Sequence, residues 1–320
     1  MPETECGYYG KLPVSPEFLR WHASGPEMRE LDDWFERGIQ YAKGRAGSEW
    51  PGLVTQADIW NFLFVPTGEG RVICGAVFAS RDRAGRSFPF LTFLLVDCPR
   101  VPPAPWLIPL QCRLFLDKTR QLLHQLRTDL DWNTFRTHTE HLATEIDADA
   151  MIETGFQDYL SRTTVNEFRN GLTGAAHIDG GLADEASHRP VLGSVSRVES
   201  GGRRLPLLKG CKAETYDMPF WLELHARTTG VPLSPMSASI AFWNRDSAKV
   251  ESCALLSIGC PSPNLARFIV SPDVSDEAWA SGMAWSTNRQ ESISCEPTGS
   301  PAYADFDGTL SLRQYLDSMS

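Results

Sequence analysis

The chain has 320 residues, with 40 Asp and Glu against 30 Lys and Arg, a formal net charge of -10 and a pI near 5.2. Hydrophobic residues at 42% and charged residues at 22% are globular values and exclude a wholly disordered chain, and the 25 Gly and 22 Pro follow no period, which excludes collagen. The acidic balance argues against broad nucleic-acid binding, which needs cations to neutralise phosphates.

The segment 6–12 mixes aromatic residues with Gly7 and Gly10 and reads as a short strand interrupted by glycine. Tyr8 and Tyr9 would then point to opposite faces, one to the core and one outward. Ser15 is a candidate N-cap and Pro16 a first helical residue ahead of Phe18, Leu19 and Trp21, so a short helix is expected there. A longer helix is expected after Pro26. Met28, Leu31, Trp34, Phe35, Gly38, Ile39 and Ala42 recur at spacings of three and four, one apolar stripe that Gly44 and Gly47 would end.

Strands follow at 59–65, 72–79 and 88–96, each nearly continuous in apolar residues. The connections are too short for helical crossovers, so the strands form an antiparallel meander. After a proline cluster at 99, 102, 103 and 105, helices are expected from Trp106 to about Leu130 and from His138 to Ile152 and beyond. Residues 170–204 lose their apolar runs and read as loop-rich. Helix is expected again over 217–227, strands over 237–243 and 252–258, a short helix at 265–268, and an amphipathic turn at 310–316. The fold class is α/β with an α+β tendency, a mostly antiparallel central sheet flanked by helices. Residues 1–165 form an N-terminal domain and 166–204 a loop-rich insertion or linker. Residues 205–320 form a C-terminal lobe that completes a second unit or adds strands to the same sheet.

Chemistry is sparse. Gly7 to Lys11 imitates a phosphate loop, but the glycine spacing is wrong and Leu12 replaces the hydroxyl residue. His138 and His141 lie three apart, yet two imidazoles do not make a zinc site. There is no GxSxG elbow for a serine nucleophile. The eight cysteines form no CxxC pair, which suits a reducing compartment. Met1 to Glu5 is polar and acidic, unlike a secretory leader, and no apolar run reaches membrane-spanning length. A cytoplasmic protein without cofactor or metal is expected.

The most informative stretch runs from Ser80 to Phe90. Arg81, Arg83 and Arg86 with Asp82 occupy a turn between two apolar strands. Gly85 permits positive φ there, and Asp82 can cap the turn by accepting backbone N–H bonds. Arg83 and Arg86 can grip a carboxylate or phosphate bidentately, or close an internal ion pair with Asp82 or Glu17. Lys11 is either an exposed contact or a solvated charge.

At these residues the chain resembles a known family. Gly7-Tyr8-Tyr9-Gly10-Lys11-Leu12-Pro13 is similar to the opening GxYGKLP signature of the TagF family, associated with bacterial type VI secretion. Residues 15–21 follow as in that family, with Pro16-Glu17-Phe18 where members usually carry Gly-Asp-Phe. Leu31-Asp32-Asp33-Trp34-Phe35 resembles its (D)xW(L/F) helix. Trp60-Asn61-Phe62 resembles its W-R-F strand, with Asn61 where arginine is usual. Gly75 to Pro89 resembles its block G-x-x-x-x-S-x-D-R-x-G-R-x-F-P, and Ser239 to Trp243 with Leu255-Leu256 is similar to a C-terminal strand pair. The resemblance implies a non-enzymatic post-translational repressor of type VI secretion. It would act by binding a forkhead-associated (FHA) scaffold protein of the apparatus, with no nucleic acid and no membrane insertion. The expected partner site comprises Tyr9, Lys11, Arg81, Asp82, Arg83 and Arg86. Two alternatives stay open: an enzyme or binding module for a small anionic ligand held by Arg81 to Arg86, and a structural accessory component of the apparatus.

Overall fold

The computed structural model describes residues 4–67, 71–97, 105–142, 150–171, 203–208, 214–229, 238–244, 253–258, 269–270 and 308–318. Among the described residues eight strands form one sheet: β1 Glu5–Gly10, β2 Leu19–Trp21, β3 Ile59–Val65, β4 Val72–Phe78, β5 Phe90–Val96, β6 Arg203–Pro206, β7 Ser239–Asn244 and β8 Cys253–Ile258. Their order across the sheet is β2-β1-β5-β4-β3-β7-β8-β6, and every pairing is antiparallel. Helices α1 Pro26–Ala46 and α2 Trp50–Gln56 precede the meander. Helices α3 Ile108–Gln111, α4 Arg113–Thr128, α5 Trp132–Glu140, α6 Ala150–Arg162 and α7 Val165–Gly171 follow it, with α8 Glu214–Thr229 and α9 Leu312–Asp317 nearer the C-terminus. The sheet with flanking helices is the expected fold class.

The strands read as unbroken apolar runs because both faces are covered. Alternate residues of β3, β4 and β5 point opposite ways. Trp60, Phe62, Phe64, Val77 and Phe93 meet Leu31, Trp34 and Phe35 of α1. Leu63, Val65, Cys74 and Leu94 meet residues of α4, α6, α8 and α9, and Ile59, Phe78 and Phe90 meet Leu123 of α4 and Phe135 of α5. β7 lies beside β3 with Phe242 opposite Phe62, so the C-terminal strands extend the same sheet. Arg120 of α4 ties that junction together. It is buried and donates to Ile59 O at 3.0 Å and Asn244 Oδ1 at 2.9 Å.

Several boundaries depart from expectation. Ser15 does not cap a helix. Its Oγ accepts from Glu17 N at 3.0 Å, and residues 19–21 form β2, with Tyr8 opposite Trp21 and Tyr9 opposite Arg20. Cross-strand aromatic pairing outweighs the capping signal, since Trp21 lies 5.8 Å from Tyr8 between ring centroids. α1 runs through Gly44 and stops at Gly47, whose φ of 53° suits a C-cap glycine whose N–H reaches Lys43 O. α2 was not anticipated; its length of seven residues is too short for a clear helical period. Cys112 separates α3 from α4 where one helix was expected. The helix expected from His138 begins instead at Trp132, because Asp131 Oδ1 accepts from Asn133 N at 2.9 Å and Thr134 N at 3.1 Å. It ends at Glu140, and α6 is a separate helix. Most of the loop-rich stretch and the helix expected at 265–268 lie outside the described residues.

Candidate functional site

The arginine turn grows out of β4 and leads towards β5. Arg81 bridges Ser87, and Phe88 N donates to Ser80 O at 3.0 Å. Within that frame Asp82 N donates to Arg86 O at 3.0 Å and Gly85 N to Asp82 O at 2.9 Å. Gly85 has φ 83°, a conformation an L side chain rarely adopts, while the space around its Cβ position is open. Glycine is needed here for the backbone angle alone.

Asp82 is the centre of the turn. Its side chain is fully buried. Oδ1 accepts from Ala84 N at 2.9 Å and Arg86 N at 2.8 Å. Oδ2 accepts from Lys11 Nζ at 2.8 Å and Arg86 Nε at 2.7 Å. Burial alone would push the carboxyl up. The hydrogen bonds from Lys11 and Arg86, with the Lys11 charge, outweigh it and hold Asp82 well below the usual carboxylate range. Lys11 is itself buried, so neither open alternative for it holds. It is the buried counter-ion of Asp82, and its ammonium also lies 4.7 Å from the Phe18 ring centroid.

The other residues divide between the interior and the surface. Arg81 donates to Pro51 O at 3.0 Å and to Thr55 Oγ1, which fastens the turn to α2. Arg86 donates to Pro16 O through its second nitrogen, fastening the turn to the β1–β2 loop. Tyr9 is half-buried. Its phenol bonds the Asp32 carboxyl of α1; burial first, then the Asp32 charge, pushes the phenol up. Its ring stacks on Phe18 at 5.4 Å and meets Phe88 edge-on at 5.9 Å. Arg83 is exposed; its backbone N donates to Ser15 O at 3.1 Å, and among the described residues its guanidinium makes no hydrogen bond. Glu17 is exposed and pairs with no described arginine. Thus Lys11, Asp82 and Arg86 come together, Arg81 and Tyr9 face α2 and α1, and Arg83 stands in solvent.

Sequence reasoning missed the surface beside the turn. Val14 is 51% exposed and Phe18 39% exposed, and both belong to the loop that Arg83 and Arg86 hold. The run Pro13-Val14-Ser15-Pro16 carried the signal, since its prolines stiffen a loop that presents an apolar residue. Behind the turn, Phe35, Trp50, Val54, Phe88 and Val270 line an apolar crevice of about 10 Å³, room for about one water.

Residues 7–142 match the TagF N-terminal domain, described as type VI secretion system-associated. The matched span includes the turn, Lys11 and the β1–β2 loop. None of the curated proteins matches. Among solved structures the fold is similar to the crystal structure of PA0076 from Pseudomonas aeruginosa PAO1, at 15% identity and a TM-score of 0.50, over 85% of this chain and 96% of that one.

Proposed function

We propose that this chain, with its match to the TagF N-terminal domain as premise, is a non-enzymatic, post-translational negative regulator of type VI secretion. It acts in the cytoplasm by binding an FHA-domain scaffold protein of the apparatus. The observation that carries this reading is the TagF match over residues 7–142. The turn adds support of a chemical kind. Both oxygens of Asp82 are occupied by four donors, so this carboxylate clamps a loop and offers no lone pair to abstract a proton. Arg81 donates through one nitrogen to Pro51 and Thr55, and Arg86 through two to Asp82 and Pro16, so these bonds tie the turn to different neighbours and do not converge on one anion.

The physical mechanism is differential affinity. A repressor that binds only the unassembled scaffold stabilises that state by about 2.7 kcal/mol when present at about 100 times its Kd. That shifts an assembly equilibrium roughly a hundredfold. Two measurements test the reading. The purified chain should capture the purified FHA scaffold of its host. Overproducing the chain should lower secretion through the apparatus without lowering the messenger levels of its genes. Unchanged secretion, or a purified pair that does not associate, refutes it.

A further inference from the structure

The loop 13–18 between β1 and β2 presents Val14 and Phe18 to solvent, 51% and 39% exposed. Scattered exposed apolar residues are ordinary. These two differ in how firmly they are held. Arg83 N donates to Ser15 O at 3.1 Å, Arg86 donates to Pro16 O, and Lys11 sits beneath the Phe18 ring. The inner side of Phe18 packs on Tyr9 at 5.4 Å and Phe88 at 5.0 Å. The loop is therefore ordered before any partner arrives, and binding to it would lose little further conformational entropy.

Its charge is opposite to that of the molecule. The loop and turn, residues 11–18 and 80–87, carry Lys11, Arg81, Arg83 and Arg86 against Glu17 and Asp82, on a chain of net charge -10. Asp82 is neutralised internally by Lys11. Arg83 is exposed with its fork unused among the described residues, and the Arg86 side chain is 59% exposed. An apolar pair beside an unused guanidinium is a surface that complements carboxylates flanking an apolar side chain.

We propose that loop 13–18, with Arg83 and the outer face of Arg86, is the docking surface for an acidic protein segment bearing an apolar anchor. The anchor packs on Val14 and Phe18, and the carboxylates meet the Arg83 fork. This rests on the partner-binding reading above and moves the contact away from Lys11, Asp82, Arg81 and Tyr9, which hold the surface in place.

The test measures binding of the full chain to two probes: the purified FHA scaffold, and a labelled peptide alternating glutamate with phenylalanine. The variants are Val14→Ser, Phe18→Ser, Arg83→Glu and, as a control on α5, which packs on the Tyr8 face of β1, Arg136→Glu. Val14→Ser and Arg83→Glu alter exposed side chains, so they remain informative if Phe18→Ser loosens the packing on Tyr9 and Phe88. Expected is a loss of about tenfold for Phe18→Ser and for Arg83→Glu, a smaller loss for Val14→Ser, and none for Arg136→Glu. The Arg83→Glu loss should shrink between about 0.05 M and about 0.5 M salt. If the scaffold binds all variants equally, the docking proposal fails and the regulator reading stands. If the scaffold does not bind but the peptide binds in an Arg83-dependent way, the regulator reading fails and the surface stands. If neither binds, or if Phe18→Ser abolishes a concentration-dependent dimer instead, the proposal is overturned.

Discussion

Replacing Asp82 with alanine removes the acceptor of four hydrogen bonds and strands the buried Lys11 ammonium. Breaking a buried pair from one side costs about 3–5 kcal/mol, because the remaining charge is uncompensated. At roughly 2–4 °C per kcal/mol for chains of a few hundred residues, the thermal midpoint should fall by about 10 °C. Lys11→Met alone leaves Asp82 its Arg86 partners and should cost less. The double variant should be milder than the sum of the two singles by about 1–3 kcal/mol, the coupling of residues in one network. The pH profile supplies a second readout. The Asp82 carboxyl lies below its ordinary value of 3.8 when folded, so its ionised form stabilises the fold. That contribution is complete above about pH 4 and is lost as pH falls through the folded value. The gap in stability between the native chain and Asp82→Asn should therefore stay constant from pH 5 to pH 8, as about one protonation state is present, and narrow below pH 4. Denaturant unfolding at several pH values measures it. A loss under about 1 kcal/mol for Asp82→Ala, or a gap that widens on acidification, would refute the account of Asp82 as an ionised clamp.

Two further predictions concern the sheet and its surroundings. Gly85→Ala should cost about 1–2 kcal/mol through its positive φ alone, whereas Gly75→Ala places a Cβ 2.2 Å from Thr92 O and should cost markedly more; comparing denaturation midpoints separates strain from collision. Cys6, Cys74, Cys112 and Cys253 are buried, and burial pushes the Cys6 thiol up to about 12. All four should resist a thiol-specific reagent in the native state and react in denaturant; fast native labelling at Cys6, Cys74 or Cys112 would show that the core between the sheet and α4 opens readily, and at Cys253 that the core under α1 does.

The meander was legible because its signals are local. Strands at 59–65, 72–78 and 90–96 are dense in β-branched and aromatic residues and joined by turns that permit only antiparallel return. The α1 stripe was legible because 21 residues give a 3.6-residue period room to declare itself. Residues 15–21 were not, since three apolar positions fit a helix turn and a short strand equally well. Only the neighbouring ring of Tyr8 decides for a strand, and that ring is distant in pattern though near in sequence. The site behaved in the same way. The motif placed Asp82 at the head of a glycine turn, and the Asx bonds to residues 84 and 86 are a local consequence.

The sequence by itself determined the architecture of the first half of this protein: one antiparallel meander, one amphipathic helix over it, and a glycine-permitted arginine turn where two of its strands meet. Tertiary structure decided what the charged residues do. Lys11 and Asp82 stand 71 positions apart, and nothing local to either announces the pair. They meet because β1 pairs with β5 and delivers Lys11 to the mouth of the turn that precedes β5. The same closure ties Arg81 to α2 and one edge of Arg86 to Asp82 and Pro16, and leaves Arg83, Val14, Phe18 and the outer face of Arg86 exposed. Charge pairing at that distance depends on which strands become neighbours, and strand order is set by burial of the whole sheet rather than by any one segment.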